Sequence, residues 1–233
     1  MALALHSMRL LAPHIKGAKV LSLGYPDILP TVEQVEELFG VKVTEQIKAG
    51  EQHNILDRKL VETMDLFKMV GATLDCIDVV KWRGFERILD LNEPHDLGQY
   101  DLVIDPGTVE HCFNIGQAIM NAARAVKVGG RIYHSPPLFM VNHGFYNVCP
   151  TALYDFYTQN GWQIELFEAR LVEKDFAVKI TPQAASARTV TVAQETGLCF
   201  MAKRLTDAEL RWPQQSKYVA MQRRKEAREK RAA

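Results

Sequence analysis

Tyr100-Asp101-Leu102-Val103-Ile104-Asp105-Pro106-Gly107-Thr108-Val109-Glu110-His111 is the stretch that decides the architecture. Its first half is apolar throughout the interior, as suits a strand buried on both faces in a parallel sheet. Pro106-Gly107 forces a turn at the carboxyl end of that strand. A helix is predicted over 109–127, with Ile115, Ile119, Ala122 and Val126 on one face. Gly129-Gly130 would terminate it before a strand at 131–134 closed by Pro136-Pro137.

The same alternation extends both ways. Toward the amino end, Leu3, Met8, Leu11 and Ile15 space a helix over 3–16, and 19–23 reads as a short strand stopped by Gly24 and Pro26. Thr31 can cap a helix over 31–39 that Gly40 ends. Residues 41–55 are polar and carry no clear period, whereas Leu56, Leu60, Met64, Phe67 and Val70 predict a helix over 57–70. Strands follow at 73–79 and 87–91. Toward the carboxyl end come a helix at 151–160, strands at 162–169 and 198–203, and an irregular 171–192 that fits a strand plus a long loop. The prediction is an α/β fold, a three-layer sandwich around a mainly parallel, Rossmann-like, seven-stranded sheet. One domain would cover 1–205, with an inserted segment at about 40–70 serving as a lid or a homo-oligomer contact, followed by a polar, basic tail at 206–233.

Composition narrows the function. The 233 residues are 47% hydrophobic and 24% charged, which excludes disorder or coiled coil as whole-chain descriptions. Lys/Arg and Asp/Glu balance at 28 each, so no global positive field recruits nucleic acid. The last 17 residues hold seven Lys/Arg against two Glu and read as a solvated helix end or frayed tail, rather than a contact for an anionic partner. Apolar stretches fall short of a membrane span, and Met1–Leu5 lacks a basic flank, so it reads as a helix start. Cys76, Cys112, Cys149 and Cys199 show no CxxC pair. Four reduced thiols in a cytoplasmic protein are expected, and no metal centre.

In an open α/β sheet, ligands sit outside the carboxyl ends of the strands. Four places there carry chemistry. Asp78 can accept hydrogen bonds from both ribose hydroxyls of a nucleoside cofactor, or simply close its strand. At Asp90-Leu91-Asn92, a polar residue can bind an adenine amino group and an apolar neighbour can pack on the ring; a plain turn is the alternative. Glu110 and His111 face the cleft, His111 as general base, as a group that orients a substrate hydroxyl, or as a structural residue. Glu110 also suits a helix N-terminus. The loop Asn142-His143-Gly144-Phe145-Tyr146-Asn147 forms either a substrate wall or a packed turn. His134, inside a strand, reads as a core residue. After the first strand, Leu23-Gly24-Tyr25-Pro26-Asp27 lacks the GxGxxG pattern, and there is no P-loop lysine, so a pyrophosphate cofactor is disfavoured. S-adenosylmethionine carries no phosphate and needs only a few donors and acceptors. Asp27, pointing inward, can bind its amino group.

The strand–Gly loop VLSLGYPD, the acidic strand end at Asp78, the DL(N) strand end, YDLVIDPGTVEH with its helix, and KVGGRIYHSPP follow one another in an order that resembles the class I S-adenosylmethionine-dependent methyltransferases. The resemblance covers roughly residues 18–170. DLNEP, DPGTVEHCFN and NHGFYNVCPTALYDFY look like a bacterial methyltransferase-like subgroup with an altered first glycine loop. Two departures stand out. Only Gly24 survives from that loop, and Gly24 to Asp78 spans 54 positions where comparable folds use roughly twenty.

The resemblance implies Gly24 as a backbone contact, Asp78 on the ribose, Asp90 and Leu91 on the adenine, and Asp105 near the methionine moiety. His111, His143 and Tyr146 then lie on the substrate side. The implied activity is methyl transfer from S-adenosylmethionine to a small polar or saccharide-like acceptor at oxygen. A non-catalytic binding or scaffold protein with lost cofactor affinity stays open, as does an RNA modifier that uses the basic tail.

Overall fold

The computed structural model describes residues 1–48, 59–171, 176–180 and 193–232. β1 (Ala2–Leu3) leads through α1 (Leu5–Ile15), β2 (Lys19–Leu23), β3 (Asp27–Ile28), α2 (Val32–Phe39), β4 (Gln46–Lys48) and β5 (Lys59–Val61) to α3 (Thr63–Met69). β6 (Thr73–Asp78), β7 (Arg87–Ile88) and β8 (Tyr100–Asp105) precede a 3-10 turn at Val109–His111. α4 (Ile115–Arg124), β9 (Val126–His134), β10 (Pro137–Phe139), α5 (Pro150–Gln159), β11 (Gln163–Leu171), β12 (Phe176–Lys179), β13 (Thr196–Lys203) and α6 (Ser216–Ala232) complete the order.

The main sheet runs β12-β11-β13-β9-β8-β2-β6-β7, with β10 paired to β13. β7, β6, β2, β8 and β9 are parallel neighbours, and β13 lies antiparallel to β9, β10 and β11. The seven-stranded, mainly parallel expectation is therefore corrected to nine strands in a mixed sheet among the described residues. Sequence order reverses around β2, which has β6 on one side and β8 on the other. Such a reversal opens a crevice at the strands' carboxyl ends.

The period-two alternation of the central strands explains the layers. Leu21, Leu23 and Val103 face one core with α4 and α5, through Ala118, Ile119, Ala122, Leu153 and Phe156. Val20, Leu102 and Ile104 face the other with α1, α2 and α3, through Leu11, Ile15, Val35, Leu66 and Phe67. Each such aliphatic side chain, fully buried, contributes roughly 1.5–3 kcal/mol. A second sheet of four short strands, β1-β3-β5-β4, covers one end of this second core.

Three helix expectations change. Leu3 belongs to β1, paired with β3, so the first helix starts at Leu5 rather than at 3. Over 57–70, residues 57 and 58 lie outside the described residues. Lys59–Val61 is a strand paired with β4, and Glu62 is extended and accepts from the Asp65 amide at 2.6 Å, so the helix starts only at Thr63. The helix over 109–127 divides at Cys112, whose backbone is extended (φ −91°, ψ 124°), and restarts where the Asn114 side chain accepts from the Gln117 amide. Gly129 and Gly130 lie inside β9 rather than after a helix, because β9 begins at Val126 with a shifted register against β8. The basic tail forms the exposed helix α6. No helix among the described residues is long and apolar enough to cross a membrane.

Gly130 marks a close backbone approach: a Cβ there would stand 2.8 Å from the Asp101 carbonyl oxygen and 2.9 Å from that of Lys127. Gly130→Ala is expected to destabilise the chain by about 1–3 kcal/mol, the usual cost of overpacking. Thermal or urea unfolding checks it, and an unchanged midpoint would mean that the two strands can part without cost.

Candidate functional site

β8 ends on Asp105, which is fully buried. Its Oδ2 lies 2.7 Å from His134 Nδ1, and His134 Nε2 lies 2.7 Å from the Tyr157 hydroxyl. A carboxylate only accepts, so Nδ1 carries the proton and Nε2 accepts from the tyrosine O–H. Asp105 Oδ1 accepts from the Thr108 amide at 2.7 Å and the Val109 amide at 3.3 Å. One side chain thereby ties β8 to β9 and α5 and fixes the turn that follows.

That turn delivers Glu110 and His111 to the strand ends. Gly107 is in the left-handed region (φ +102°), and a Cβ on it would lie 2.9 Å from Glu110 Oε1. Glu110 is 0% exposed, and neither carboxylate oxygen has a hydrogen-bond partner. His143 Nε2 is 3.6 Å from Oε1, within ion-pair reach but too long for a hydrogen bond. Burial drives the Glu110 carboxyl up to about 7, and Glu110 in turn raises the His143 imidazole. Burial and the neighbouring His143 push His111 below its ordinary value, so its ring is neutral near pH 7. The two imidazole centroids are 5.3 Å apart.

The 142–147 loop closes over this cluster. The Phe145 amide donates to the Glu110 carbonyl at 2.9 Å. Gly144 fits because it lacks a Cβ, which would stand 3.0 Å from the Glu110 carbonyl oxygen and 3.2 Å from His111 Nδ1. Phe145 is 65% exposed and meets the 73% exposed Phe113 edge to face, centroids 5.6 Å apart, so it does not fill core. The Tyr146 hydroxyl donates to the Phe113 carbonyl at 2.9 Å and pins the loop to the start of α4.

The residues expected on the nucleoside side sit in different environments. Asp78 is half-buried; its Oδ1 accepts from the amides of Val79 and Val80, and Oδ2 makes no hydrogen bond among the described residues. Asp90 is exposed and accepts from Asn92, while Leu91 is buried in the α4/α5 core. Gly24 is left-handed (φ +83°), and the room it leaves is taken by Met1: a Cβ would be 2.6 Å from Met1 Cγ. Asp27 is 1% exposed and bonds Arg83 at 2.7 Å rather than facing an open cleft. Tyr25 turns into the α1–α3 core, stacks on Phe85 (6.0 Å) and donates to Glu62.

The structure thus brings Glu110, His111 and His143 together, with Tyr146 fastening the loop above them. Asp105 stands behind them as a positioning residue. Sequence reading did not find the orphaned state of Glu110 or the Arg83–Asp27 pair, and nothing in the sequence signals either one. Glu110, His111 and His143 each offer one ligand atom, all within 4.8 Å of one another. A separate cavity of about 480 Å³ opens at the amino-terminal ends of the strands, but the Lys127 and Arg131 that line it are already paired with Asp101 and Glu165.

No family model and no curated protein matches the chain. Several solved structures overlap it in part. Thermoplasma acidophilum 1320 is 13% identical over 85% of this chain and 88% of that one, with a TM-score of 0.44. TehB from Haemophilus influenzae is 12% identical, over 83% of this chain and 59% of its own, with a TM-score of 0.42. Burkholderia thailandensis 1,6-didemethyltoxoflavin-N1-methyltransferase, crystallised with 1,6-didemethyltoxoflavin and S-adenosylhomocysteine, is 13% identical over 86% and 77%, with a TM-score of 0.44.

A carboxyl that titrates near 7 in the folded chain and near 4.5 in the unfolded one keeps its proton longer on folding. Its contribution to stability is complete below about pH 4.5 and is lost as pH rises through about 7. Relative to Glu110→Gln, the wild type is expected to lose on the order of 2 kcal/mol between pH 5 and pH 8. Urea unfolding in chelating buffer at both pH values measures this. A constant difference would place the Glu110 carboxyl in contact with water.

Proposed function

We propose that the chain binds S-adenosylmethionine at the carboxyl ends of β2, β6 and β7 and methylates an oxygen of a small polar or sugar-like acceptor. The observation that carries the reading is the reversal of strand order at β2, with Asp78 on one flank and the Glu110–His111–His143 cluster on the other. The donor set suits a phosphate-free nucleoside. Asp78 Oδ2 makes no hydrogen bond among the described residues, although the Met1 ammonium lies within electrostatic reach of the carboxylate, and Pro26 has no N–H to give a phosphate. Bound S-adenosylmethionine supplies an electrophilic methyl group on sulfur.

The chain's residues do the rest. His111, neutral and exposed, can take the proton of an acceptor hydroxyl. Glu110 raises the His143 imidazole, while burial and His143 lower that of His111, so the two neighbouring rings are shifted in opposite directions. Phe113 and Phe145 offer apolar walls at the mouth.

One observation favours a second reading, a binding or scaffold protein without the cofactor: the Met1 side chain fills the space beside Gly24 and must leave for a ligand to approach that backbone.

Calorimetry with S-adenosylmethionine and S-adenosylhomocysteine separates the two, because no heat at millimolar ligand would sink the enzyme. If binding occurs, Asp78→Ala is expected to weaken it by about 1–3 kcal/mol, the cost of unpaired hydrogen-bonding groups. His111→Ala should lower turnover by about a hundredfold with little change in cofactor affinity, read as S-adenosylhomocysteine release over a panel of polyhydroxy acceptors. Equal loss of both would make His111 a structural residue.

A further inference from the structure

We propose that Glu110, His111 and His143 form a binding site for one divalent first-row transition metal, with its remaining coordination positions open toward the cleft mouth. The proposal stands on the cluster alone and holds whether or not a nucleoside binds beside it.

Three observations carry it. The donor set is two imidazoles and one carboxylate, a set that suits zinc, iron, cobalt or manganese and leaves positions free for oxygen ligands. Their ligand atoms already lie within 4.8 Å of one another. Bond lengths of about 2.0–2.2 Å to nitrogen and oxygen place neighbouring ligands roughly 3–3.5 Å apart, so the widest separation must close by roughly 1.3–1.8 Å. Most decisive is Glu110. A carboxylate excluded from water, with both oxygens lacking a hydrogen bond, is one of the costliest groups a fold can carry. A cation in front of it removes that cost, and His143 Nε2, 3.6 Å from Oε1, stands beyond hydrogen-bond reach.

The surroundings are built for a fixed carboxylate and an adjustable ring. Gly107 and Gly144 bring backbone up to Glu110 where a Cβ would stand 2.9 Å from its Oε1 and 3.0 Å from its carbonyl oxygen, and the Phe145 amide clamps the Glu110 carbonyl. These contacts hold the carboxylate and the 144–145 backbone in register. The His143 side chain is 46% exposed on the loop. His111 comes from the same 3-10 turn as Glu110. Two segments, each tied to the other, therefore supply all three donors. With a metal bound, His111 would be a ligand rather than a base, and an acceptor hydroxyl on an open position, its pKa lowered, would give its proton to solvent water. Either way the acceptor meets the same three residues.

The test is titration of chelator-treated protein with cobalt(II), read by visible absorption and by metal analysis after desalting, with no nucleoside present. One saturable equivalent is expected. Glu110→Gln and His143→Ala should each weaken it by at least about tenfold, the scale of loss seen when a metal site is disturbed. His14→Ala, remote from the cluster, should leave it unchanged. Thermal unfolding verifies that the variants fold, and His143, on an exposed loop, can be replaced without opening the core. The proposal is overturned by the absence of a saturable equivalent, by wild-type affinity in both cluster variants, or by a loss in His14→Ala that matches theirs. None of these outcomes bears on whether the cleft accepts S-adenosylmethionine.

Discussion

The fully buried Asp105 is the constraint on which the rest of the site depends. A carboxylate with no water must have every lone pair engaged, or it would be among the largest penalties in the fold. Here one oxygen takes His134 and the other takes two backbone amides. Because His134 is also the register partner of Asp105 across β8 and β9, the side-chain bond and the sheet ladder enforce the same alignment. Tyr157 extends the chain to α5, and its phenol is held well above its ordinary value by burial, so it stays a hydroxyl donor. Charge-assisted bonds of this kind are roughly twice as strong as neutral ones. The result is a turn at 106–111 whose direction is set from beneath.

Glu110 is the opposite case a few residues away. Asp105 is buried and satisfied, whereas Glu110 is buried and unsatisfied. Local rules of polar satisfaction hold through most of a natural fold and fail where function requires it. The backbone lies close by: a Cβ on Gly107 would stand 2.9 Å from Glu110 Oε1, and one on Gly144 3.0 Å from the Glu110 carbonyl oxygen.

Much of the architecture was legible because burial on both faces leaves a plain mark. Leu102, Val103 and Ile104 are all apolar since each meets a core. The Thr31 cap was legible too, with the reciprocal Gln34 bond present. What the sequence hid was decided by tertiary contact. Gly129-Gly130 looked like a helix stop, yet Gly130 is glycine because β8 backbone lies against it. Leu60 fitted a helical stripe, but pairing to β4 makes it a strand. Reversal of β13 leaves no signal at all, since an apolar strand reads alike in either direction. In the site, His111 and His143 are far apart in sequence and meet because Gly144 permits the loop to touch the turn. Asp90 and Leu91 are adjacent in sequence and part company, one exposed and the other in the core.

The first loop offers little to an anion. A phosphate-binding turn works by presenting several unengaged amides at a helix N-terminus. Here the Gly24 amide is spent on the Ile77 carbonyl at 2.7 Å, Pro26 has none, and the Asp27 amide donates to the Met1 carbonyl at 3.1 Å. Asp27's carboxylate is neutralised by Arg83, which also lies 5.8 Å over the Tyr25 ring. The segment that would cradle an anion is thus self-satisfied and closed on itself. Specificity at this crevice must come from groups with capacity left over. Asp78, with its second oxygen unbonded among the described residues, and the Glu110–His111–His143 cluster stand on opposite flanks of β2.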